Sequence, residues 1–158
     1  MTLDPSLLPD LHAFIVEAKA AAHVGKKPSQ ASSRPASHDI GYERGDWGYL
    51  DSYFGGTDFL GQETVRLKNK PVWAMNYYGR ILRVDLINGQ VAAYVIRPTR
   101  SKMFAENRFF GGLTHEFEGK LFVDVSSGET GSFAGYEHIL ISGIEVYRLD
   151  YHGGLIRD

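Results

Sequence analysis

A chain of 158 residues with 17 Lys+Arg against 19 Asp+Glu lacks the basic excess by which dedicated nucleic-acid binders neutralise phosphates, so no direct nucleic-acid partner is expected. The absence of cysteine removes thiolate catalysis, cysteine-ligated zinc and disulfides together. The N-terminal stretch carries acids where a secretory signal would carry Lys or Arg, and no apolar run reaches the roughly eighteen residues of a membrane span; the expectation is one soluble, cytoplasmic domain over residues 1–158 with no membrane contact.

Asp4 followed by Pro5 is a helix entry, an N-cap acid before proline at the first helical position. Leu7, Leu11, Phe14, Ile15, Ala18 and Ala22 then recur at helical spacing up to Gly25, which predicts a helix from about residue 6 to about residue 23. Residues 26–38 are polar and read as a linker or a lid, with Arg34 the side chain there able to reach an anionic group. Tyr42–Leu50 alternates loosely around Gly45–Asp46, and Asp51–Asp58 reads as a turn-rich link. Phe59–Leu67 alternates cleanly, placing Phe59, Gly61, Glu63, Val65 and Leu67 on one face. Asn69 turns the chain, and Val72–Tyr78 returns with Trp73, Met75 and Tyr77 on one face. These segments predict a three-stranded antiparallel meander.

Residues 86–97 have helical spacing that Pro98 should stop, unless it starts a further turn to Met103. Phe109-Phe110-Gly111-Gly112 breaks the chain again. A second meander is expected over Thr114–Val125, Phe133–Ile141 and Ile144–Tyr151, with Ser142–Gly143 as its hairpin turn.

The two meanders repeat one another. At a constant displacement Phe59, Gly61, Glu63, Val72, Tyr77 and Gly79 recur as Phe133, Gly135, Glu137, Val146, Tyr151 and Gly153, far above chance matching. Glu43 and Asp51 are echoed by Glu116 and Asp124. The predicted fold is therefore α+β: a tandem duplication of a helix and three-stranded meander, residues 5–82 and 84–156, related by a pseudo-twofold axis, with both helices packed on antiparallel sheet.

The segments FIVEAKAAAH, YLDSYFGGTDFLGQETV, PVWAMNYYGR and YHGGLI together resemble a bacterial family known as domain of unknown function 5680. The resemblance runs from Phe14 nearly to the end; Arg108 is followed by FFGG where the family suggests an Arg-Gly-Pro element. It implies an α+β domain that stands alone or follows an XRE-type helix-turn-helix, and it brings no established reaction. No helix-turn-helix is recognisable here, so the regulator role does not transfer.

Glu63 and Glu137 are the sharpest candidates. Each lies mid-strand among apolar residues, where an unpaired carboxylate would cost several kcal/mol and raise its pKa. Gly61 and Gly135 would leave room beside them for a ligand or another backbone. Structural ties are the competing reading: a two-residue Ser142–Gly143 turn puts Glu137 opposite Arg148 and the equivalent turn puts Glu63 opposite Ala74. Trp73, Tyr77, Tyr147 and Tyr151 form aromatic stripes that suit either a core or a cleft wall, with Asn76 between them in the first half. The six histidines make no recognised metal motif, and no cofactor is implied. The expected function is small-molecule binding or sensing without a DNA-binding module, through Glu63, Glu137, Trp73, Asn76, Tyr77, Tyr147, Tyr151 and Arg34, with a homodimer as the candidate assembly. The alternatives are a protein-interaction module without ligand and an enzyme using a raised-pKa glutamate.

Overall fold

The structure is a computed structural model and describes residues 3–24 and 31–157; Gly25 and the start of the polar loop lie outside the described residues. Asp4 caps the entry as expected, its carboxylate accepting from the Ser6 amide and hydroxyl ahead of a short 3-10 turn, Pro5–Leu7. Helix α1 follows over Leu8–Val24, and its buried stripe carries Leu11, Phe14, Ile15 and Ala18. Phe14 stacks on Trp47 at 5.6 Å.

Four strands come next: β1 His38–Arg44, β2 Trp47–Gly55, β3 Phe59–Leu67 and β4 Lys70–Ile81. Helix α2, Gly89–Ala105, leads into β5 Leu113–Phe117, β6 Lys120–Glu129, β7 Ser132–Ile141 and β8 Ile144–Leu155. All eight strands join one antiparallel sheet in the order β1-β2-β3-β4-β8-β7-β6-β5. The class is α+β, as expected, but each meander has four strands where three were predicted. Gly45, at φ 58°, makes a tight hairpin inside Tyr42–Leu50, and Glu118–Gly119, at φ 50° and 73°, makes the matching one inside Thr114–Val125. The stretch DSYFG, through Gly55, is strand rather than link.

Pro98 does not stop α2. Its missing N–H removes one helical bond, while the stripe Ala92, Val95, Ile96, Thr99 and Met103 stays buried straight through it. Tertiary packing outweighs the local loss. At the start Asn88 caps the helix by accepting from the Val91 amide.

Each half carries a β-bulge, and these two overturn the predicted registers. Pairing shifts between Val65 and Arg66 and between Ile139 and Leu140. Val72 and Val146 are the extra residues, so Val72 and Trp73, like Val146 and Tyr147, are neighbours that are both buried. Pro71, which cannot donate to a ladder, sits beside the first bulge, where proline is tolerated. The shift moves Glu63 opposite Met75 rather than Ala74, and Glu137 opposite Leu149 rather than Arg148. Arg148 instead faces the outer side of the sheet, bonded to Asp150. Both helices pack on the other face, touching each other and the strands of their own half. The core lies in that layer around Trp73 and Phe133, stacked at 5.8 Å, with Phe109 against both. Burying an aromatic of that size contributes roughly 3 kcal/mol.

Candidate functional site

Between the helices and the sheet lies a cavity of about 490 Å³, within the range of small-molecule sites. Its floor is organised by the alternation of the strands. On the central pair β4/β8, Tyr77 stands directly opposite Tyr151. Each phenol reaches outward over a glycine: a Cβ at Gly61 would fall 2.3 Å from the Tyr77 hydroxyl, and one at Gly135 would fall 2.7 Å from the Tyr151 ring. The room expected beside the glutamates is thus filled by these rings. At the end of the reach Tyr77 donates to Asp51 Oδ1 at 2.6 Å, and Tyr151 donates to Asp124 Oδ2 at 2.7 Å.

Asp51 lies opposite Glu63 in the β2/β3 pair, and Asp124 lies opposite Glu137 in the β6/β7 pair. Like charges directly opposite are destabilising unless something compensates them. The compensation comes from the helices. Lys19 of α1 lies 2.7 Å from Glu63 Oε1 and 2.6 Å from Oε2, and Arg100 of α2 donates to Glu137 through Nη2 at 2.7 Å and Nε at 3.2 Å. Glu63 and Glu137 are 6% and 3% exposed, so these are interior pairs.

Phenols complete both clusters from opposite sides. Tyr147 of β8 donates to Glu137 at 3.4 Å, whereas Tyr49 of β2 supplies the phenol beside Glu63. Burial, and then the neighbouring carboxylates, raise the hydroxyls of Tyr49, Tyr77, Tyr147 and Tyr151 above the usual phenol range, so all four remain donors.

The acids are not equivalent. Burial first, and the Glu63 charge second, push Asp51 up to about 7 against the opposing pull of Tyr77, Lys19 and Arg100. Burial also raises Glu137, against the pull of Arg100. Asp124 has more donors: besides Tyr151 it accepts from Ser126 Oγ at 3.0 Å and from the Gly112 amide at 3.2 Å. At the roof His23 packs edge-on to Phe104, and burial followed by the charge of Arg100 lowers it to about 4, so its ring is neutral at pH 7.

Glu63, Glu137, Tyr77, Tyr147 and Tyr151 all line the cavity. Three other candidates do not. Trp73 is fully buried in the core, its indole N–H donating to the Thr130 carbonyl at 2.9 Å. Asn76 faces the outer side, bonded to Gln62 and near His152. Arg34 is spent on structure: its guanidinium donates to the Ser52 carbonyl at 2.7 Å and lies over the Phe54 ring. Ser52 is part of a knot in which Ser33, Ser37 and Ser52 all donate to Asp39, overcoming its burial and holding its carboxyl well below the usual range. That knot fastens the described end of the polar loop to β1 and β2.

Sequence reasoning missed Lys19, Arg100, Asp51, Asp124 and Tyr49. A signal for the cations was present: Lys19 continues the buried series Leu11, Ile15 in steps of one helical turn, and Arg100 continues Ala92, Ile96. A cation in phase with an apolar stripe calls for a buried carboxylate opposite it.

A comparison with protein families matches residues 51–156 to a family described as Domain of unknown function (DUF5680). The matched span contains all four carboxylates and α2 but not α1 with its Lys19. Neither the curated proteins nor the solved structures give a significant match. Among the described residues no helix is long and apolar enough to cross a membrane.

Proposed function

The chain belongs to the DUF5680 family, and from that premise we propose that it is a small-molecule-binding, sensory module whose ligand occupies the cavity between the helices and the sheet. One observation carries the reading: two acid, phenol and cation clusters, of matching composition and drawn from opposite halves, line a single cavity of about 490 Å³. Stability alone would favour apolar side chains here, because replacing buried ion pairs by well-packed apolar groups is often neutral or stabilising. The repeated sequence pattern supports an origin by tandem duplication of a helix and four-strand unit about a pseudo-twofold axis between β4 and β8. The cavity sits over that axis, where the two copies of the cluster meet.

The test is a thermal-shift screen of the full chain against a broad metabolite panel. A ligand present at about a hundred times its Kd adds about 2.7 kcal/mol, which raises Tm by roughly 5–10 °C for a chain of this size. Glu63→Gln should keep the circular dichroism spectrum and lose the shift. A panel that moves wild type nowhere removes the support for a sensor. Asp51 favours a second reading, since a carboxyl poised near neutrality in a cavity is suited to general acid–base catalysis; chemical change of any ligand found, followed by mass spectrometry, decides between binding and turnover.

A further inference from the structure

Among the described residues, the buried side-chain polar atoms that receive no directed hydrogen bond are Glu63 Oε2 and His23 Nε2. Both belong to residues lining the same cavity. Lys19 Nζ lies 2.6 Å from Oε2 and 2.7 Å from Oε1, so the ammonium holds the Glu63 carboxylate, and the open atom on the cavity is His23 Nε2. Buried polar atoms are nearly always satisfied, so one left open on a cavity points to a partner that arrives with a ligand. The carboxylates that line the cavity accept only, which requires donors from that ligand; the neutral His23 ring can meet a second group as donor or acceptor.

Charge selects the kind of donor. Four carboxylates face the cavity, while Lys19 and Arg100, the cations that the helices bring to it, are each committed to a glutamate. Arg97 also reaches the lining but is exposed at the rim. An anionic ligand would have to break these pairs and then confront Asp51 and Asp124. The halves differ in openness as well. Among the described residues Asp124 is bonded by Tyr151, Ser126 and the Gly112 amide, whereas Asp51 accepts from Tyr77.

We infer that the cavity takes an organic cation bearing N–H donors, a primary amine or a guanidine, with its charged head between Asp51 and Glu63 and its carbon stem against Phe59 and Phe109. This assignment rests on the small-molecule reading above. Asp51 is faced by Glu63 from β3, Tyr77 from β4, Lys19 from α1 and Arg100 from α2. Because Asp51 is largely protonated below pH 7, seating a cation there expels its proton to solvent. Affinity therefore rises with pH up to about 7 and levels off until the amine itself titrates.

The test is isothermal titration of the full chain with 1,4-diaminobutane, butylguanidine, butyltrimethylammonium, butyrate and butanol, at pH 6 and pH 8 in buffers of different ionisation heat. The expected result is binding of the two N–H cations at least about tenfold tighter than the trimethylammonium analogue, the value of roughly one charge-assisted hydrogen bond. Proton release should accompany binding at pH 6 and vanish at pH 8. Asp51→Asn should weaken binding by about tenfold or more at pH 8 and abolish the release; if that variant does not fold, Glu63→Gln carries the comparison. Preferred binding of butyrate or butanol, equal binding of the trimethylammonium compound, or no binding of the N–H cations overturns the assignment. The two levels fail separately: a neutral or anionic hit in the metabolite panel refutes the amine and leaves the sensor standing, whereas a silent panel removes both.

Discussion

Asp51 and Asp124 hold corresponding places on β2 and β6. Each faces a glutamate one strand away, and each receives a phenol that crosses a glycine. Asp124 gains a serine and a backbone amide; in the register of the first half the place of Ser126 falls to Tyr53, and the donor to Asp51 seen among the described residues is the Tyr77 phenol. One acid pair is thus closed by the protein and the other is left with spare capacity. The difference teaches that one arrangement of strand, acid and phenol can be held in common while one or two residues beside it decide how many donors each acid receives.

The largest test of this comparison removes the helix cations. Lys19→Met strands Glu63 in a pair whose side chains are 11% and 8% exposed, and should cost about 3–5 kcal/mol in urea denaturation. Arg100→Met should cost less, about 2–3 kcal/mol, because the Arg100 side chain is 31% exposed and water screens what is lost. The reverse ranking would mean that bidentate geometry, not solvent exclusion, sets the strength of these pairs.

A smaller effect separates the aspartates. Asp124→Asn turns an acceptor of three bonds into a group that must present an amide to some of the same donors, at a cost of about 1–3 kcal/mol. Asp51→Asn should be nearly neutral at pH 7, where the group it replaces is already half protonated. The pH dependence then has two opposing parts. Asp51 is raised from 3.8 unfolded to about 7 folded, so its contribution falls as pH rises through that window. Glu137, raised by burial, adds in the same sense. His23 is lowered from 6.5 to about 4, so its contribution rises with pH between those values. Between about pH 4 and 6.5 the terms partly cancel. Asp51→Asn should therefore make stability climb more steeply with pH than wild type, and His23→Gln should make it fall. Parallel curves for all three proteins would show that neither group titrates as its surroundings dictate.

What could be read in the sequence was what alternation and repetition carry. Glu63, Glu137, Tyr77, Tyr147 and Tyr151 share a strand face, and period two alone places them on the cavity side. The bulges could not be read, because an extra residue such as Val72 or Val146 is apolar on either side of the shift and leaves no mark in the pattern. Without them the partners of both glutamates were misplaced by one position, which is why Arg148 stood in for Arg100. Lys19 and Arg100 were hidden for another reason: on a helix a single cation among apolar neighbours looks like a snorkelling surface residue until the strand beneath it is known. Asp51 was visible as an echo of Asp124, yet the neighbouring Phe-Gly-Gly made its strand resemble a turn.

The turn between β6 and β7 has a wider consequence. Thr130 accepts the indole N–H of Trp73 through its carbonyl and meets His12 of α1 through its hydroxyl at 2.7 Å, while the other ring nitrogen of His12 meets the Asn107 carbonyl at 2.9 Å. In the opposite direction the turn between β2 and β3 presses Thr57 against Gly89 at the start of α2, 3.3 Å from where a Cβ would stand. Each half is latched by the other's hairpin, so neither has a seam along which it can open by itself. The molecule should melt as one cooperative unit: in native-state hydrogen exchange the amides of β3 and β7 should merge onto a single global opening as denaturant rises, and two separate openings would show the latches to be idle.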